Sequence, residues 1–179
     1  MLNKIPVSLS EVLEVRAKGL NEEEVWAILS QAVTPLHHVE ENSEAKCSLS
    51  LDTLFLLSDG SVDVQGSESP ELDAVPPELN TPDFNRSKAL VYGLGSLLVQ
   101  GLEFHEESDE RGAAMSGASP ELLSLLNLMK VKEPGIRPQL SRLSQMADNF
   151  LRRQQSNSKE VIRIMYVSIM GSQDDVSCF

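Results

Sequence analysis

Apolar positions are densest in residues 87–104, where Leu90, Val91, Tyr92, Leu94, Leu97, Leu98, Val99 and Leu102 fall on nearly every side of a helix. A helix that is apolar all round is buried all round. Its length, and the Tyr, Gln and Ser inside it, suit a core helix better than a membrane span, which needs about 20 predominantly apolar residues. Gly93 and Gly95 each cost about 1 kcal/mol against Ala in a helix interior. That cost makes sense where another backbone comes close.

The remaining pattern is mostly helical. Ser8 and Glu11 form a capping-box pair ahead of Leu9, Val12 and Leu13, and Gly19 is the expected stop of this short helix. Asn21 and Glu24 repeat the pattern before a second helix carrying Val25, Trp26, Ile28, Leu29, Ala32 and Val33, with Leu36 after Pro35. Glu22, Glu23 and Glu24 stand in its first turn, where the helix dipole favours acids. Residues 38–48 read as a polar connection. Apolar runs at 49–57 and 61–64 flank Asp59-Gly60, a strong signal for a hairpin with a two-residue turn. Residues 66–86 and 105–118 read as loops. Ser119-Pro120-Glu121 opens a further helix by cap and first-turn proline. Residues 139–153 predict another, with Leu140, Leu143, Ala147, Phe150 and Leu151 on one face. The Ile- and Val-rich segment 158–170 leaves helix and strand both open and is too short to span a membrane.

Composition narrows the function. A chain of 179 residues with 41% hydrophobic content builds one domain, with Leu filling a core in which aromatics are only 4%. The net charge of −12 argues against nucleic acid and anionic membranes as partners, because both call for basic patches. Residues 1–130 hold 22 acids and 8 bases, whereas residues 131–165 hold 3 acids and 7 bases. Cys47 and Cys178 form no metal-binding or disulfide framework, and the first residues contain no secretory apolar run. A cytoplasmic setting is expected.

Candidate chemistry is sparse. The adjacent His37 and His38 would point about 100° apart on a helix and cannot share one metal. His105 stands alone in an acidic stretch. No G-x-S-x-G, H-E-x-x-H or P-loop occurs. No catalytic residue, metal site or cofactor is expected, and the chain is not expected to be an enzyme.

The order of elements is a capped double helix, an Asp-Gly hairpin, Pro76-Pro77-Glu78, a buried helix, and Arg137-Pro138 before a late helix. It resembles the lower lobe of a protein kinase. The opening, Leu9-x-x-Val12-Leu13-x-Val15-Arg16 followed by Leu20-Asn21-Glu22-Glu23-Glu24-Val25-Trp26-Ala27, is similar to that of the KIND (kinase non-catalytic C-lobe domain) family. The resemblance covers residues 5–155 and sets apart 156–179 as an apolar segment with an acidic tail. The implied fold is mainly α, a kinase C-lobe-like domain with one short β-hairpin and a buried central helix.

Kinase chemistry needs, in chain order, an Asp base, an Asn for magnesium and an Asp for magnesium. By the resemblance, counting from the Asp59-Gly60 turn, those positions hold Ser48, Thr53 and Gly66, and Leu90 replaces the helix Asp that orients a catalytic loop. No upper lobe is expected ahead of Ser8. The resemblance also implies a structural ion pair between Glu78 and Arg137, matching the Ala-Pro-Glu glutamate of kinases and its later arginine.

The family points to protein interaction. The stretch 101–111 (GLEFHEESDER) looks like the Spire type of actin nucleator, whose domain binds a basic formin tail. The opening looks equally like the domains of FERM-PDZ phosphatases and of the very-KIND protein, which binds a microtubule-associated protein. A basic peptide suits an acidic chain. Glu106, Glu107, Asp109 and Glu110 are the candidate partner-binding residues, with Glu40, Glu41 and Glu44 as a second patch. The expected setting is cytoplasmic and cytoskeletal. Two further readings are a degenerate pseudoenzyme that retains nucleotide binding, and a weak PDZ ligand at Ser177-Cys178-Phe179.

Overall fold

A computed structural model describes residues 5–41, 49–65, 76–78, 85–104 and 118–177, with side chains as far as Gly171. Helix α1 spans Leu9–Arg16 and starts with the full capping box. The Ser8 Oγ accepts from Glu11 N, and Glu11 Oε2 accepts from Ser8 N. The helix stops earlier than Gly19. Ala17 takes the left-handed cap at φ 57 and ψ 29, and its N–H reaches Leu13 O. A non-glycine residue there costs about 1–2 kcal/mol. Gly19 is needed elsewhere: a Cβ on it would meet the carbonyl oxygens of Gly101, Leu102 and Phe104 at 2.7–2.8 Å.

Helix α2 spans Glu22–Glu41 and runs through Pro35. The first residues of the expected connection at 38–48 are therefore helical; the rest, from 42, lie outside the described residues. Strands β2 (Leu54–Leu56) and β3 (Val62–Val64) pair antiparallel with Leu54 opposite Val64 and Leu56 opposite Val62. Alternation places these four side chains in the core. The turn is one residue longer than expected: Leu57 N donates to Ser61 O, Gly60 N donates to Leu57 O, and Gly60 has φ 90. This is the three-residue loop in which the last position is left-handed. A strand that the pattern did not announce, β1 (Val7–Ser8), pairs with β2 and makes the sheet three-stranded.

Helix α3 covers Arg86–Glu103, capped by the Asn85 side chain, and nearly every side of it is buried from Ala89 to Leu102. Of the two central glycines, Gly95 faces a tight approach: a Cβ would lie 2.8 Å from that of Met129. Gly93 has only ordinary contact with Leu49. Helix α4 is Pro120–Met129, capped by Ser119; a one-turn 3-10 helix covers Pro134–Ile136; α5 is Leu140–Arg153 and α6 is Ser158–Ser177.

Helix α2 lies against α3, α5, α6 and β3, so it is a second buried centre beside α3. Trp26 on α2 stacks on Phe150 of α5 with ring centroids 4.9 Å apart. The ambiguous last segment is helical, and Val161, Ile162, Met165, Tyr166 and Ile169 join the same core. Sequence set this segment apart from the domain; in the fold it is one wall of it. Among the described residues no helix is long and apolar enough to cross a membrane.

Candidate partner-binding surface

The candidate residues Glu106, Glu107, Asp109 and Glu110 lie outside the described residues. What the structure gives is the ground on either side of them. On the near side, α3 ends at Phe104, where Gly19 packs on the last carbonyls and Leu20 N donates to Gly101 O at 2.9 Å. Across the gap, Ser119 is fixed to Glu22. Its N–H reaches Oε1 and its hydroxyl reaches Oε2, both at 2.6 Å. The described residues that flank the stretch, Gly101 and Ser119, are thus both bonded to one short piece of chain, 19–22.

The acids within this junction are not equivalent. Glu24 is buried and accepts from both terminal nitrogens of the Arg16 guanidinium, at 2.6 and 3.0 Å. It also accepts from Asn21 N, and Arg16 reaches Gly19 O. Burial alone would raise the Glu22 carboxyl. The Ser119 hydroxyl, the Ser119 N–H and the Trp26 indole outweigh it and hold the group below the usual range. Glu23 and Glu103 remain exposed. The helix dipole is therefore only part of why acids stand at 22–24: two of them are joints. The Asn21–Glu24 capping pattern was visible in sequence; the partners Arg16 and Ser119 were not.

In the second acidic patch, Glu40 is 3.3 Å from His37 Nδ1, Glu41 is exposed, and Glu44 lies outside the described residues. The other histidine of the adjacent pair, His38, is exposed; His105, Cys47 and Cys178 are outside the described residues. No cluster of metal-ligating side chains occurs among those described.

Thr53, which the resemblance sets against a kinase magnesium position, closes a local turn. Its hydroxyl accepts from Ser50 N at 2.8 Å and donates to Ser50 O at 3.1 Å. Leu90 is fully buried. Ser48 and Gly66 lie outside the described residues. Glu78 and Arg137 form a buried fork, with Nη1 to Oε1 at 2.6 Å and Nη2 to Oε2 at 3.0 Å. The guanidinium also donates to the carbonyls of Val131, Lys88 and Lys132, and stacks 4.8 Å over Tyr92. The arrangement ties residue 78, α3 and the 131–137 connection into one rigid corner.

The family described as "Kinase non-catalytic C-lobe domain" matches residues 7–168. The human "Kinase non-catalytic C-lobe domain-containing protein 1" is 30% identical over 183 residues, covering 96% of this chain and 10% of that protein. Its mouse counterpart is 32% identical over 139 residues, covering 75% of this chain and 8% of that protein. The chain therefore spans about a tenth of the length of these relatives. The matched region runs well into α6, as the shared core does.

Proposed function

Because this chain belongs to the family of kinase non-catalytic C-lobe domains, a non-catalytic interaction module by kind, we propose that it binds a basic peptide of a cytoskeletal regulator through its acidic surface. A formin-like tail is the peptide favoured by the likeness of residues 101–111 to Spire-type domains; a segment of a microtubule-associated protein is the other family-level candidate. The setting is the cytoplasm, in association with the actin cytoskeleton. One observation carries the reading. The described residues on either side of Glu106, Glu107, Asp109 and Glu110 bond to the 19–22 junction, Gly101 through Leu20 and Ser119 through Glu22, and Glu23 and Glu103 are exposed. Opposite charge across such a rim acts mainly on association rate and salt dependence.

The test is a titration of a fluorescent basic tail peptide against the wild-type chain and a Glu106→Lys/Glu107→Lys variant, at low salt and at about 0.5 M, where the Debye length is a few ångströms. Reversal weakens binding roughly tenfold at low salt, about 1.4 kcal/mol, and little at high salt. Unchanged affinity on reversal places the site elsewhere. Failure to bind any basic peptide ends the reading.

A further inference from the structure

Ser119 combines two chemical facts. It precedes a proline, and its hydroxyl is the hydrogen-bond donor of a joint between α2 and α4. We propose that Ser119 is a phosphorylation site for a proline-directed protein kinase, and that the phosphate opens the α2–α4 joint by repelling Glu22.

Recognition comes first. Ser119 already has the extended conformation that a following proline favours, with φ −68 and ψ 153, and Pro120 is exposed. Ser119 itself is half-buried, so the hydroxyl is reached when the joint opens locally. In the transfer step, Ser119 Oγ attacks the γ-phosphorus of a nucleoside triphosphate held by the modifying kinase. The Oγ–P bond forms and the bond from phosphorus to the bridging β,γ-oxygen breaks. The diphosphate leaves, and the hydroxyl proton passes to that kinase's base.

The consequence follows from what Ser119 does now. Its hydroxyl and N–H both donate to Glu22, and Glu22 in turn accepts from the Trp26 indole at 3.1 Å. A phosphorylated Oγ has no proton to give. It also places close to two negative charges beside a carboxylate that was 2.6 Å from that oxygen. Two effects then oppose each other. A phosphate at the first turn of α4 favours the helix through its dipole. Repulsion from Glu22 disfavours the docked position, and at this separation it wins. The opened joint is one of the two anchors of the stretch that carries the acidic run.

The opposition supplies the test. The full chain is treated with ATP, magnesium and a purified proline-directed kinase, and the phosphate is placed by mass spectrometry. Ser69-Pro70 and Thr81-Pro82 in the same chain serve as internal comparisons. Hydrogen exchange and Trp26 fluorescence are then read for wild type and for Glu22→Gln, with and without phosphate. In wild type, phosphate speeds exchange in residues 119–125 and 22–26 by about tenfold or more, the equivalent of 1.4 kcal/mol, and alters Trp26 emission. In Glu22→Gln the sign reverses for α4, whose first turn exchanges more slowly once phosphorylated. Ser119 left unmodified while Ser69 and Thr81 react, a phosphorylated wild type with unchanged exchange, or the same sign of effect in both proteins would each overturn the proposal.

Discussion

Arg137 grips Glu78 with both terminal nitrogens across 59 positions of sequence, and its guanidinium is completely buried. Every nitrogen of that group has a partner, and Tyr92 covers its face. A buried pair satisfied in this way contributes less net stability than it costs to break, because removing one member strands the other charge away from water.

Arg137→Ala is therefore expected to cost about 3–5 kcal/mol. Glu78→Gln leaves the arginine charge uncompensated and lands in the same range. Urea denaturation with an unchanged slope measures both. A loss under about 1 kcal/mol for either would mean that water reaches this corner.

Gly60 makes a second sharp case. It has φ 90, and any Cβ there would run into the Lys159 carbonyl at the start of α6. Gly60→Ala combines left-handed strain with a backbone collision, and a loss of at least about 1–3 kcal/mol is expected. Gly135→Ala is the matched control. Nothing stands within 4 Å of its Cβ and its φ is ordinary, so its stability stays near wild type.

Acid unfolding follows from Glu22 and Asp59. Against the opposing effect of burial, the Ser119 and Trp26 hydrogen bonds lower the Glu22 carboxyl. Ser61, through its hydroxyl and N–H, lowers that of Asp59, with Lys159 assisting. Folded values below unfolded ones mean that both contributions are complete above the ordinary carboxylate range of about 4. They disappear as pH falls through the depressed folded values. Glu22→Gln and Asp59→Asn should each lower the melting temperature on the plateau above the carboxylate range and converge on wild type in acid, which flattens the acid limb and leaves the slope above neutrality unchanged. A variant whose profile parallels wild type through the acid limb would contradict this.

The local joints were readable in sequence and the distant ones were not. Ser8–Glu11 and Asn21–Glu24 are three residues apart, so the spacing itself carries the contact. Ser119 was visible as a cap, yet its bond to Glu22 crosses 97 positions and no periodicity encodes it. Tyr166 to Ile5 crosses 161. The pairing of Glu78 with Arg137 was reachable only through family likeness. Burial of α3 was plain from its composition. The left-handed Ala17 was hidden because Gly19, the better stop by propensity, is committed to the end of α3. The acidic run that carries the partner reading is itself a sequence feature, and the structure adds the bonds of its described flanks, Gly101 to Leu20 and Ser119 to Glu22.

Nucleotide should have no purchase. Thr53 spends its hydroxyl on Ser50, and Leu90 is core. Magnesium-ATP at millimolar concentration should leave the melting temperature unchanged, since any ligand that prefers the folded state raises apparent stability. A saturable upward shift that depends on magnesium would revive the pseudoenzyme reading.

The final prediction concerns where the domain ends. Five apolar side chains of α6, Val161, Ile162, Met165, Tyr166 and Ile169, are buried with the rest of the core, and the helix packs on α1, α2 and β2. Its first turn also holds Gln31 through the Ser158 hydroxyl, and the Tyr166 hydroxyl donates to Ile5 O at 2.9 Å. Each large apolar side chain buried is worth about 1.5–3 kcal/mol. Five of them rival the whole stability of a domain, typically about 5–15 kcal/mol. A chain cut after residue 155 should therefore lose its cooperative thermal transition. Ile162→Asp in the full chain should reproduce much of that loss by placing a charge in the same seam. If the shortened chain melted cooperatively near the wild-type temperature, α6 would be an appendage and the core would close without it.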